Sequence, residues 1–302
     1  MQKAKLPRQI WKYRSYYFFL LPAVIYVAIF SYSPMYGLQI AFKNYRGSLG
    51  IMGSPWIGFG HFIDFYHSYY FWRLFRNTLL ISVYSLVVCF PIPIILALML
   101  NEFKGNLKKT VQTIFYAPHF ISLVVIVGII GTLFSPSIGI VNTVLESLGH
   151  KKVYFLALPE AFRHIYVWSG VWQHMGWSAV IYIAALSGVD PELHEAARID
   201  GASLFQRIRY INLPAIQPTV IILLIMNIGH LVSVGYEKVY LLQNSLNIEV
   251  SEVISTYVYK RGLLNSNYSF SAAVGLFNNV INATLLVVAN GISRKYSQTS
   301  LF

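Results

Sequence analysis

A chain of 302 residues that is 56% hydrophobic and only 11% charged cannot cover a soluble domain with enough polar surface. Its mean hydropathy of +0.55, and apolar runs near the roughly 20 residues that cross a bilayer, point to an integral membrane protein. The formal charge of +12 would suggest nucleic acid in a soluble protein; here the cations flank membrane spans and face anionic lipid, so lipid is the expected partner and nucleic acid is not.

Residues 1–16 carry Lys3, Lys5, Arg8, Lys12 and Arg14 ahead of an apolar stretch, which imitates a signal peptide. The run 17–42 is too long for one, and "FSYSPMYG" offers no small-x-small cleavage site, so it reads as a retained first span. Further spans are expected at 77–100, 113–134, 164–187, 218–243 and 272–292. Continuous helices are the expected form, because a bilayer leaves backbone groups no other partner. Pro91 and Pro93 should kink the second span. Cys89 lies in the same run and reads as an inert buried thiol; as the single cysteine it excludes an intrachain disulfide and a thiolate metal cluster.

Lysine and arginine are denser in 1–16, 101–112, 188–217 and 293–302 than in the intervening loops. That bias places both termini in the cytoplasm. The expected organisation is a cytoplasmic N-terminal segment (1–16), one six-span domain (17–292) and a cytoplasmic tail (293–302). The outer loops are richer in glycine and aromatics, as in "GSLGIMGSPWIGFGHF" (47–62), and Trp56, Phe59, Trp72 and Trp168 suit an interfacial belt.

The loop 188–217 holds the most structured polar sequence, "EAARIDGASLFQRIRYINLP" from Glu195 to Pro214. Asp190 before Pro191 is an N-cap followed by proline at the first helical position. Glu192 and Glu195 suit the positive end of that helix, and Gly201 can stop it in the left-handed conformation. Ser203 can cap a second short helix, which Pro214 and Pro218 should end before the fifth span. Leu193, Ala196, Ala197, Leu204, Ile208 and Ile211 give the loop small apolar faces. A partner surface or the protein's own helix ends could cover them.

Glu195-Ala196-Ala197, three residues, Gly201, nine residues, then Ile211-Asn212-Leu213-Pro214 resembles the EAA signature of binding-protein-dependent ABC importer permeases. "HEAARIDGAS" and "INLPAIQPT" resemble the sugar-importing branch. "SYSPMYGLQIAFKNY", "YEKVYLLQN" and "VGLFNNVINATLLVVANGISRK" resemble its polysaccharide-type, LplB-like subgroup. The resemblance covers nearly the whole chain. It implies an all-α type I importer fold of six transmembrane helices with a cytoplasmic coupling helix, in a bacterial cytoplasmic membrane. The implied partners are a second homologous permease, two ABC ATPase subunits, an extracellular or periplasmic solute-binding protein and a carbohydrate substrate. On this resemblance Glu195, Ala196 and Gly201 form the ATPase contact and its turn. Ala197 and Pro214 complete the motif, and Arg198, Asp200 and Arg207 are polar supports.

No GxxxxGK[ST] occurs, so this chain is expected to bind no cofactor, with ATP and magnesium held by the partner ATPases. Arg198 occupies the position where an HExxH metal motif beginning at His194 would need its second histidine, and there is no GxSxG elbow, so neither a metal site nor enzymatic activity is expected. Polar residues inside spans should face the bundle or a wet path. Trp168, Trp172 and His174 in the fourth span, Asn227 and His230 in the fifth, and Asn278 and Asn282 in the sixth offer stacking faces and hydrogen bonds for a sugar. Asn and His between helices also serve as packing glue, and both readings stand on sequence alone. A channel or secondary transporter would share the spans but should carry a buried coupling carboxylate, and none lies deep in these runs.

Overall fold

The computed structural model describes residues 11–297 and 299–302; Lys3, Lys5 and Arg8 of the expected N-terminal segment lie outside them. Among the described residues the chain is helical, with one isolated antiparallel bridge between Lys43 and Trp56. It divides into two compact units, 11–66 with 261–276, and 67–260 with 277–302.

The first unit contains α1 (Arg14–Val27), prolonged by a π turn (Ala28–Tyr32) and a 3-10 segment (Ser33–Phe42). Together they make a 29-residue apolar helix. No residue of α1 is buried, as suits a surface solvated by lipid or by another subunit. After it the Lys43 ammonium donates to the Ile51 carbonyl at 2.8 Å and lies 4.6 Å from the Trp56 ring centroid.

The second unit is built on α2 (Phe71–Cys89), α3 (Pro91–Glu102), α4 (Gly105–Tyr116), α5 (Leu123–Leu133), α6 (Pro159–Leu186), α7 (Pro191–Ile199), α8 (Leu204–Arg207), α9 (Leu213–Gly229), α10 (Tyr236–Leu242), α11 (Ile254–Tyr259) and α12 (Tyr268–Ser297), which belongs to this unit from Phe277 onward. Its core has two clusters. One gathers Ile81, Ile126, Ile130, Phe162 and Val239; the other gathers Leu96, Leu100, Ala179, Tyr182 and Ile216. Because α6 supplies residues to both, it is the pillar around which the unit packs. Gly176 permits the closest approach: a Cβ there would sit 2.1 Å from the Phe115 carbonyl oxygen of α4.

The six-span expectation is met in part. Among the described residues four helices are long and apolar enough to cross a bilayer: Arg14–Phe42, Phe71–Glu102, Leu204–Gly229 and Tyr268–Ser297. A fifth exists if Gly105–Phe120 and Leu123–Leu133, bent by 100°, count as one span. Helix α6 has the length, 28 residues, but Arg163, His164, Gln173 and His174 dilute its apolarity.

The expectation of continuous helices fails at two spans. At the third, Pro118 has no N–H to continue the ladder, a 3-10 turn (Ala117–Phe120) intervenes, and the Ser122 side chain caps α5 by accepting from Val125 N at 3.4 Å. At the fifth, α9 ends at Gly229 and residues 230–235 are non-helical before α10 begins. The second span remains one helix, Phe71–Glu102, with Phe90 in helical dihedrals between α2 and α3 just ahead of Pro91 and Pro93.

Pro214 and Pro218 do not end the helix after Ser203, contrary to the sequence expectation. The helix runs from Leu204 to Gly229. A π turn at Ile208–Asn212 shifts the hydrogen-bond register just before Pro214 and so accommodates its missing N–H, while Pro218 stands inside α9.

Candidate functional site

The loop between α6 and α9 is fixed by its own backbone chemistry. The Asp190 carboxylate accepts from Glu192 N at 3.0 Å, and Pro191 follows at the first helical position of α7. At the other end Gly201 adopts φ +77°. Its N–H donates to the Arg198 carbonyl at 3.1 Å and the Ala202 N–H donates to the Ala197 carbonyl at 2.8 Å. These paired bonds are a Schellman closure, which requires the left-handed residue between them. A capping box then starts α8: the Ser203 hydroxyl accepts from Gln206 N at 3.3 Å while Gln206 Oε1 accepts from Ser203 N at 2.7 Å. Three caps in about a dozen residues make the turn angle a covalently local property.

The loop is tied to the bundle at its base. Arg207, on α8, forms an ion pair with Glu102 at the end of α3, at 3.7 Å. No residue of α7 is buried. Glu195, Ala196, Arg198, Asp200 and Gly201 are exposed and Ala197 is half-buried. The sequence faces were read through Leu193, Ala196, Ala197, Leu204, Ile208 and Ile211. Of these Leu193, Ala196 and Leu204 are open, while Ala197, Ile208 and Ile211 are partly covered. The largest apolar exposures lie elsewhere, at Ile199 (88%) and Phe205 (70%), one on each side of the Gly201 turn. Sequence reasoning passed over both, although their positions beside the caps made them legible.

The second unit also carries two adjoining open cavities, about 640 Å3 and 220 Å3, that share Ser85, Cys89, Pro93, Tyr166 and Ser178 as walls. Asn227, His230 and Trp177 line the larger, and His174 lines the smaller. His174 Nδ1 lies 3.3 Å from His119 Nδ1, and the His119 ring stacks on Trp177 with centroids 4.7 Å apart. His119 comes from the break between α4 and α5, so the interrupted third span delivers a ring that a continuous helix would place elsewhere.

The other residues singled out from sequence are not gathered here. Trp172 lies on an exposed part of α6, and so does Trp168, whose indole N–H donates to the Tyr84 hydroxyl at 3.1 Å. Asn282 accepts from Val232 N at 2.9 Å and donates to the Ser233 hydroxyl at 2.8 Å. Asn278 donates to the Val232 carbonyl at 3.2 Å. Both asparagines thus fasten the non-helical segment after α9, the segment that carries His230. Gly229 has no room for a side chain against Leu286, with a Cβ-to-Cδ1 distance of 2.6 Å, so α9 and α12 meet closely just before it.

A polar network closes the opposite end of the unit. The nearly buried Glu252 carboxylate pairs with Arg73 at 2.5 Å and Lys260 at 3.2 Å. Asn77 donates to the Glu249 and Glu252 carbonyls. Buried charge of this kind costs less when fully paired.

The described geometry is that of a helical membrane component with a capped, exposed polar loop and a largely apolar cavity that carries a few polar groups. The chain belongs to the binding-protein-dependent ABC importer permeases. Residues 165–298 match the family described as "Binding-protein-dependent transport system inner membrane component". Over 99% of its length the chain is 43% identical to Protein LplB of Bacillus subtilis (strain 168), covering 93% of that protein. It is 42% identical to the polygalacturonan/rhamnogalacturonan transport system permease protein YteP of the same organism, with coverage of 95% and 89%. Its fold matches a chain of a bacterial ABC transporter involved in the import of the acidic polysaccharide alginate, with TM-score 0.89 and 42% identity over 97% of this chain and 99% of that one.

Proposed function

We propose that this chain is the permease subunit of an ATP-driven, binding-protein-dependent importer of oligosaccharides or polysaccharide fragments. It would work in a bacterial cytoplasmic membrane with both termini in the cytoplasm. Its partners would be a second homologous permease, two ABC ATPase subunits holding ATP and magnesium, and an extracellular solute-binding protein. The polygalacturonan/rhamnogalacturonan permease and the alginate transporter, which match nearly the whole chain, support the substrate class.

The observation that carries the reading is the Asp190–Pro214 loop, which is capped at its turns yet leaves α7 with no buried residue. An exposed helix held this rigidly suits a lever that transmits motion from a docked ATPase. In this role Glu195, Ala196 and Ala197 supply the docking face and Gly201 fixes the angle. Arg198 and Asp200 flank the contact, and Arg207, through Glu102, passes displacement into α3. Pro214 and the adjoining π turn lead the same displacement into α9.

The sugar path is proposed along the cavities, with His174, Asn227 and His230 as hydrogen-bonding groups. Trp168 and Trp172 would offer stacking faces toward the second permease. Asn278 and Asn282 would act by holding the His230 segment in place. The test is reconstitution of the complete complex in proteoliposomes. Saccharide uptake should require both the binding protein and ATP on the ATPase side.

A further inference from the structure

Lys238, on α10, is 8% exposed. Its ammonium does not reach outward along the helix. It donates to the Tyr166 carbonyl on α6 at 2.9 Å and lies 4.9 Å from the Tyr166 ring centroid. Among the described residues it joins none of the ion pairs, whose four carboxylate contacts go to Arg73, Lys152, Arg207 and Lys260. An ammonium carries three donors, and one carbonyl uses a single one.

The remaining donors have somewhere to go. Lys238 lines the 220 Å3 cavity together with Ser85, His174 and Ser178. Gly170 leaves the ammonium uncovered on one side, because a Cβ there would touch the nitrogen at 3.4 Å. The shared walls make this cavity a side chamber of the larger one. A lysine withdrawn from water without a counter-ion is costly, and in a membrane protein such a group marks an ion or substrate pathway. The missing counter-ion is best supplied by the cargo.

We propose that Lys238 is a specificity residue of the translocation path, binding the carboxylate of a uronic acid unit, so that the imported saccharide is anionic. This rests on the saccharide-importer reading above. A carboxylate would form a charge-assisted bond with the ammonium, whereas a sugar hydroxyl forms an ordinary one. The serines and His174 around it can engage neighbouring hydroxyls.

The test uses the complete transporter in proteoliposomes with its binding protein. ATP hydrolysis is stimulated by uronate oligosaccharides from pectin and alginate digests, and by the same digests after methyl esterification. Wild type should respond to the acidic form over the ester. Lys238→Met should lower the acidic response about tenfold or more, the usual scale for losing a charged hydrogen bond, and leave the ester response unchanged. Lys238→Arg should keep the preference. Because the binding protein is the same throughout, its own selectivity cancels between variants. An unchanged acidic response in Lys238→Met, or an equal fall for both forms, would overturn the assignment. So would failure of that variant to assemble, which would make Lys238 a packing residue held on Tyr166. A wild type that responds only to esters or neutral saccharides sinks the lysine assignment alone; one that responds to no saccharide sinks the importer reading with it.

Discussion

The Ala202 N–H reaches back to the Ala197 carbonyl at 2.8 Å across a Gly201 held at φ +77°. That bond fixes the direction in which the chain leaves α7 and enters α8. No atom lies within 4 Å of the position a Cβ would take at Gly201, so any cost of a side chain there is conformational. A β-branched residue in this region costs about 1–2 kcal/mol, and asparagine less. Gly201→Val should therefore insert normally and lose saccharide uptake, while Gly201→Asn keeps most of it. Equal uptake by both at normal membrane abundance would remove the turn from the mechanism.

Orientation is read by thiol labelling in intact cells after Cys89→Ser. Ser203, Ser137 and Asn267 are all exposed in the chain, so reactivity reports the side of the membrane. Ser203→Cys should resist a membrane-impermeant reagent, and Ser137→Cys and Asn267→Cys should react. The reverse pattern would invert the topology and move the α7 loop away from any cytoplasmic ATPase.

The close contact of α6 with α4 gives a stability prediction. With a Cβ 2.1 Å from the Phe115 carbonyl, Gly176→Ala must push two backbones apart, at about 1–3 kcal/mol or more. Gly128 on α5 has nothing within 4 Å, so Gly128→Ala should be neutral or stabilising by up to about 1 kcal/mol. Melting of the two variants in detergent measures the difference. Equal melting temperatures would mean that α6 and α4 do not meet as described.

Asn282 and His230 separate packing from transport. Asn282→Ala leaves the buried Val232 N–H without its acceptor, a loss of about 1–3 kcal/mol, and should lower stability and uptake together. His230 faces the larger cavity, so His230→Ala should lower uptake while the melting temperature stays near wild type. A parallel fall in both properties for His230→Ala would make it a packing residue too.

Most of the 188–217 loop was legible in the sequence because its structure is local. The Asp190–Pro191 start, the Gly201 stop and the Ser203 cap each depend on a few adjacent residues, and each is found where the residue types require. The long-range features were not legible. Pro214 and Pro218 signal a helix end by themselves, yet the π turn at Ile208–Asn212 lets the helix continue. Apolar runs measured length but not the breaks at Pro118 and Gly229, where capping and close packing override lipid's demand for a continuous helix. Asn278 and Asn282 looked like Asn227 in the sequence; only tertiary contact assigns them to the segment after α9. Lys238 lies near the end of the expected fifth span, and its inward course toward Tyr166 depends on tertiary packing that the sequence does not carry.

The most direct measurement is retention of the ATPase subunits on the purified permease with Glu195→Lys, alongside saccharide uptake. Glu195 is exposed on α7 and lines neither cavity, so the substitution addresses docking alone. Reversing a charge at an interface commonly costs several kcal/mol of partner affinity. Glu195→Lys should insert at wild-type abundance, lose ATPase on purification and show no uptake, with ligand binding by the solute-binding protein unchanged. Full ATPase retention with normal uptake would contradict the assignment of this loop as the site through which ATP hydrolysis drives transport.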